Sequence, residues 1–127
     1  MKKKGNTSDY AKERNAELRR TFFSQLSYST TTEALEKTIK SPSSRFWVDP
    51  DRARDVLSRI EKNPETKDTM YPQRRRMYEA LYRKYQEISR RFPGQSKIES
   101  VTMAVYSAAP EFFITPSGAR RILYNNA

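Results

Sequence analysis

The feature that most constrains this chain is an internal repeat. Slid 66 positions along itself, the sequence lays Phe46-Trp47-Val48-Asp49-Pro50-Asp51-Arg52-Ala53-Arg54-Asp55-Val56-Leu57 on Phe112-Phe113-Ile114-Thr115-Pro116-Ser117-Gly118-Ala119-Arg120-Arg121-Ile122-Leu123. Five positions are the same residue, and Trp47/Phe113, Val48/Ile114 and Val56/Ile122 match in kind. The same shift sets Thr30 on Ser96, Glu33 on Glu99, Leu35 on Val101 and Ile39 on Val105. One self-similar period is architectural information and precedes the reading of single residues.

Each copy reads as helices. Thr30 with Glu33, and Ser96 with Glu99, are spaced as capping boxes, in which the hydroxyl takes an orphan N–H and the carboxylate reaches back. Asp49-Pro50 and Thr115-Pro116 are N-cap and first-turn signals. Ala11, Leu18, Phe22 and Leu26 lie on one helical stripe, and Ala53, Val56, Leu57 and Ile60 on another. Met77, Leu81, Tyr85, Ile88 and Phe92 form the predicted inner face of a long helix running to about Arg91. Ile98, Val101, Val105 and Ala108 do the same for a short helix, and Ala119, Ile122 and Leu123 for the last one. With a shift of 62, Arg14, Glu17, Phe23 and Leu26 fall on Arg76, Glu79, Tyr85 and Ile88, which extends the repeat to the long helices.

The expected fold is therefore all-α, about six helices in two similar three-helix, helix-turn-helix-like units. A basic disordered arm is expected over 1–7, the first unit over 8–62, a linker over 63–71 and the second unit over 72–127. Apolar residues are only 35% of the chain, so eight Tyr, six Phe and one Trp must carry much of the core. No stretch reaches the roughly 20 apolar residues of a membrane span, and the N-terminus lacks a secretory core. The expectation is a cytoplasmic protein.

Cys and His are both absent, which removes disulfides, thiolate nucleophiles and the commonest metal ligands. With Gly at only three positions there is no phosphate-cradling loop. Asp49, Asp51 and Asp55 could be imagined around a magnesium ion, but an N-cap and two helix-surface carboxylates account for them. No enzyme, no cofactor and no metal are expected.

A net charge of +10 points to a polyanion. Residues 1–64 carry 14 Lys+Arg against 9 Asp+Glu, and residues 65–127 carry 11 against 6, so each half is +5. A short helix followed by a helix with outward arginines is the ground plan of major-groove readers. The groove candidates are Arg52, Arg54 and Arg59 in the first copy and Ser117, Arg120 and Arg121 in the second. Arg74, Arg75, Arg76, Arg83 and Lys84 add a cationic surface on the long helix. Guanidinium suits either a guanine edge or a phosphate. The second copy is the better reader, because Asp49, Asp51 and Asp55 oppose phosphate in the first; Asp51 and Asp55 are expected to pair with Arg54 or Arg59.

Two features temper this reading. The break between short and final helix is about eight or nine residues, longer than the usual 3–4. The aromatic pairs Phe46-Trp47 and Phe112-Phe113 fit core plugs better than base wedges. Tyr78 and Tyr82, beside Arg83 and Lys84, are the exposed candidates for base stacking, with Tyr85 in the core. The expected function is non-enzymatic binding of nucleic acid, duplex DNA first; the alternatives are RNA binding, or an adaptor that meets an acidic protein partner.

Ser41-Pro42-Ser43-Ser44-Arg45-Phe46-Trp47-Val48 and Phe112-Phe113-Ile114-Thr115-Pro116-Ser117-Gly118-Ala119 resemble segments shared by small, basic, uncharacterised helical proteins of gut Bacteroidota phages and mobile elements. That group carries no assigned activity. What the resemblance implies is a context, phage or mobile DNA, in which a nucleic-acid role is the natural expectation.

Overall fold

A computed structural model describes residues 5–124, and among them every regular element is helical. The elements are α1 (Gly5–Leu26), α2 (Thr31–Ile39), α3 (Pro50–Lys62), a 3-10 helix (Pro64–Thr69), α4 (Pro72–Arg91), α5 (Lys97–Val105) and α6 (Pro116–Tyr124). The all-α expectation holds. Of the expected arm, residues 1–4 lie outside the described residues, whereas Gly5, Asn6 and Thr7 already belong to α1.

Local signals placed the starts of α2, α3, α5 and α6 correctly. The Thr30 N–H donates to Glu33 Oε1 at 3.1 Å and the Glu33 N–H to Thr30 Oγ1 at 3.2 Å. Ser96 and Glu99 repeat this at 2.9 and 3.3 Å. Asp49 Oδ2 accepts the N–H groups of Asp51 and Arg52, and Thr115 Oγ1 accepts that of Gly118 at 2.9 Å. Glycine at 118 has a steric reason: a Cβ there would stand 3.1 Å from that same Thr115 oxygen and 3.3 Å from Ile114 Cγ1.

The grouping of helices differs from the sequence expectation. One compact unit combines Met1–Ser43 with Pro110–Ala127, and the other is Ser44–Ala109. The units 8–62 and 72–127 are thus not the ones formed. In the first unit α6 packs on α1 and α2; in the second α3 packs on α5, which also meets α4. Each three-helix group is completed by the third helix of the other repeat. The chain crosses between units at Ser43–Ser44 and again at Ala109–Pro110, which are the same two positions under the 66-residue shift.

The reason lies in the connections over 40–49 and 106–115, too long for a tight helix-turn-helix turn. Each delivers its aromatic plug to a helix end that needs a donor. In the second unit the Phe46 N–H bonds the carbonyl of Val105, the last residue of α5, at 2.8 Å; in the first the Phe112 N–H reaches the carbonyl of Ile39, the last residue of α2, at 3.4 Å. Terminal carbonyls of a helix have no partner within it, so these bonds satisfy groups otherwise left open.

Within the first unit Leu18, Phe22, Ala34, Leu35, Ile39, Phe112 and Ala119 are buried. The Phe22 ring meets Tyr124 edge-on at 6.2 Å, tying α1 to α6. Ala11, Leu26, Ile122 and Leu123, expected inward, are only half-buried. Phe113 has φ 57°, the left-handed region, which is unusual for an aromatic residue.

Within the second unit Phe46, Val48, Ala53, Val56, Leu57, Ile60, Tyr78, Leu81, Ile88, Val101 and Val105 make the core. Of the stripe expected on α4, Met77 and Tyr85 are half-buried and Phe92 is 41% exposed; Tyr78 and Ala80 take the interior instead. Of the face expected for the short helix, Val101 and Val105 are buried, Ile98 is half-buried, and Ala108 lies exposed beyond the end of α5, with Ala104 buried instead. The expected linker over 63–71 is a 3-10 helix capped by Asn63 and packed on α3. Lys67 pairs with Glu79 at 3.5 Å and Arg75 reaches Asp68 at 3.5 Å, which holds this segment to α4.

Candidate nucleic-acid interface

The expected contact residues are divided between the units. Ser117, Arg120 and Arg121 lie in the first; Arg52, Arg54, Arg59, Arg74, Arg75, Arg76, Arg83 and Lys84 lie in the second. Both units remain basic: Ser44–Ala109 carries 14 Lys+Arg against 9 Asp+Glu, and the remainder 11 against 6.

On α6, Ser117, Arg120, Arg121 and Tyr124 recur at i, i+3, i+4 and i+7 and line one shallow depression of about 320 Å³. All four are exposed, and α6 contains no carboxylate. Arg120 and Arg121 have no ion-pair partner among the described residues, so their guanidinium groups keep their donors for a ligand. The Ser117 hydroxyl stands beside the first turn, in hydrogen-bond contact with the capping Thr115 hydroxyl at 3.4 Å.

The cations of the second unit are mostly occupied. Arg54 pairs with Asp55 at 3.3 Å, one of the helix-surface pairings the sequence suggested. Arg75 bonds Glu79 at 3.4 Å in addition to Asp68, and Lys84 pairs with Glu87 at 3.3 Å. Arg74 lies over the Tyr78 ring at 5.2 Å. Arg76 is exposed. Arg52, Arg59 and Arg83 are exposed without an acidic partner among the described residues. Asp49 is spent on the α3 cap, and no described cluster of carboxylates could hold a metal ion.

The stacking strip is overturned. Tyr78 is fully buried at 0% exposure, because it takes the inner position on α4 that periodicity gave to Met77. Tyr82 is half-buried, and its hydroxyl donates to Glu61 at 3.1 Å. Burial, and then the bond to Glu61, raise the Tyr82 phenol above its ordinary pKa. Glu61 also receives the Lys97 ammonium, so one carboxylate on α3 gathers side chains from α4 and α5. Phe46 and Phe112 are buried core plugs, as expected, with Trp47 and Phe113 half-buried.

Arg45 is the residue that sequence reasoning overlooked. It is 8% exposed, and its Nε donates to the Phe46 carbonyl at 2.9 Å while a terminal nitrogen donates to that of Val48 at 2.8 Å. Its guanidinium lies 4.3 Å from the Tyr106 ring centre and 5.2 Å from that of Trp47. The signal was available: an arginine inside an aromatic run, with Tyr106 in the repeat position of Lys40 and Glu111 in that of Arg45.

A second unequal pair of faces lies on the short helices. Gln95, just before α5, and Ile98, Glu99, Thr102 and Met103 on it line an open depression of about 320 Å³. The equivalent positions around α2 are Ser29, Thr32, Glu33, Glu36 and Lys37. The apolar character belongs to α5 alone.

Comparison with family models, curated proteins and solved structures finds no match to this chain.

Proposed function

We propose that this chain is a non-enzymatic nucleic-acid-binding protein that engages duplex DNA, accessory to phage or mobile-element processes. The observation that carries the reading is the α6 face, where two unpaired arginines flank hydroxyls from Ser117 and Tyr124 on a helix without acid. Such a face offers charge-assisted bonds to phosphate oxygens. The second unit has exposed cations of its own in Arg52, Arg59 and Arg83. A groove-reading helix-turn-helix is not part of the proposal, because α2 and α3 belong to different units, as do α5 and α6.

The apolar face of α5 favours a second reading, an adaptor that binds protein. A salt-titrated competition among duplex DNA, single-stranded DNA and RNA decides between them. The DNA reading expects duplex to compete best and binding to weaken steeply with salt. Arg120→Ala with Arg121→Ala should weaken binding more than Lys3→Ala with Lys4→Ala. Equal loss from the two double variants, or no binding to any of the three polymers at physiological salt, refutes the assignment of α6.

A further inference from the structure

The geometry points to a second copy of this chain as a partner, through exchange of the helix α6 between two copies. This goes beyond nucleic-acid binding and does not depend on it. The first unit is discontinuous: α1 and α2 wait for a helix that returns only after the whole of Ser44–Ala109. Nothing in its packing requires that α6 come from the same chain.

The segment that brings α6 back is the strained one of the two connections. It begins at Pro110 and carries Phe113 at φ 57°, the single described non-glycine residue in that region; its repeat counterpart Trp47 is not there. Of the two matched bonds, Phe112 N–H to the Ile39 carbonyl is 3.4 Å, whereas Phe46 N–H to the Val105 carbonyl is 2.8 Å. The helix it delivers buries only Ala119 fully. A lightly held element on a strained connection is the arrangement that favours exchange, because straightening the segment relaxes the backbone while the same contacts re-form on the partner copy. In the exchanged dimer residues 110–115 run straight, and each α6 packs on the partner's α1 and α2.

The test uses the full chain. Refolding at millimolar concentration, followed by dilution and size-exclusion chromatography with light scattering, should yield a dimer that persists on dilution. The chain has no Cys, so Phe23→Cys and Tyr124→Cys, both at exposed positions, take single labels cleanly. A donor-labelled F23C chain refolded with an acceptor-labelled Y124C chain should show strong energy transfer in the dimer peak, as Tyr124 packs on Phe22. Phe113→Gly accepts a left-handed φ without strain and should lower the dimer fraction. Relief of about fivefold per connection, or about 25-fold for two, is the expected fall in the dimerisation constant. Only monomer after concentrated refolding, a dimer lost at once on dilution, absence of intermolecular transfer, or a dimer unaffected by F113G each overturns the proposal.

Discussion

Replacing Arg45 by methionine tests whether a buried cation, rather than apolar packing alone, organises the aromatic plug of the second unit. The stem length is kept, so packing along the side chain is largely preserved. What disappears includes two charge-assisted hydrogen bonds, at 2.9 and 2.8 Å, and the contact with Tyr106 at 4.3 Å. Bonds from a charged donor contribute about 1.5–3 kcal/mol each. A partly desolvated cation–π contact adds about 1 kcal/mol. Taking the low end of each, the loss is about 4 kcal/mol, because the carbonyls of Phe46 and Val48 are left without the donor that Arg45 supplied. For a slope of about 1.5 kcal/mol per molar urea, the midpoint should fall by about 2.5 M. Trp47 is the only tryptophan and belongs to this unit, so its emission reports the transition directly, with far-UV circular dichroism as the second probe. Arg45→Lys keeps the charge but cannot span both carbonyls in one plane, and should recover about half the loss. A midpoint shift below about 0.7 M for R45M, or full recovery by R45K, would refute the reasoning.

Thr30→Ala and Ser96→Ala should each cost about 1 kcal/mol by removing a cap acceptor, measured by urea unfolding. Glu33, the partner of Thr30, has its pKa lowered first by the Thr30 backbone N–H, so its contribution is complete above the ordinary carboxylate range and lost as pH falls through the lowered value; Glu33→Gln, which cannot titrate, should flatten that acid limb. Tyr82 has a raised pKa, so its contribution is complete below about pH 10 and lost as pH rises through the raised value. Tyr82→Phe should remove this alkaline loss in a stability titration. Finally, if α6 holds two phosphates, Arg120→Ala with Arg121→Ala should reduce the slope of log affinity against log salt by about 1.8.

The elements were legible because their signals are local. A capping box, an Asp-Pro or Thr-Pro start and a stripe such as Ala53, Val56, Leu57 and Ile60 need only a few neighbouring residues to be read. Partner choice was not legible. Periodicity tells that α3 has an apolar face, but the faces of α2 and α5 are alike by descent of pattern, and Leu35 and Val101 offer it equivalent surfaces. The clue was the long break before each third helix, which the sequence already presented as a departure from a tight turn. Tyr78 was misplaced for a different reason: on a helix as polar as α4, the neighbouring Met77 fits the stripe equally well, and packing alone selects the ring. The α6 arginines stood out since the helix lacks acid, whereas Arg75 and Lys84 looked equally available until Asp68, Glu79 and Glu87 were located beside them.

The matched crossings at Ser43–Ser44 and Ala109–Pro110 impose an order on synthesis. As the chain leaves a ribosome, α1 and α2 emerge well before α6 and cannot yet complete their own three-helix group. Ser44–Ala109 is continuous and can close as soon as α5 is out, so the later-made unit should be the first to fold. The helices α1 and α2 then depend on a helix made only after the whole of Ser44–Ala109, and a chain cut before α6 would leave Leu18, Phe22 and Leu35 uncovered.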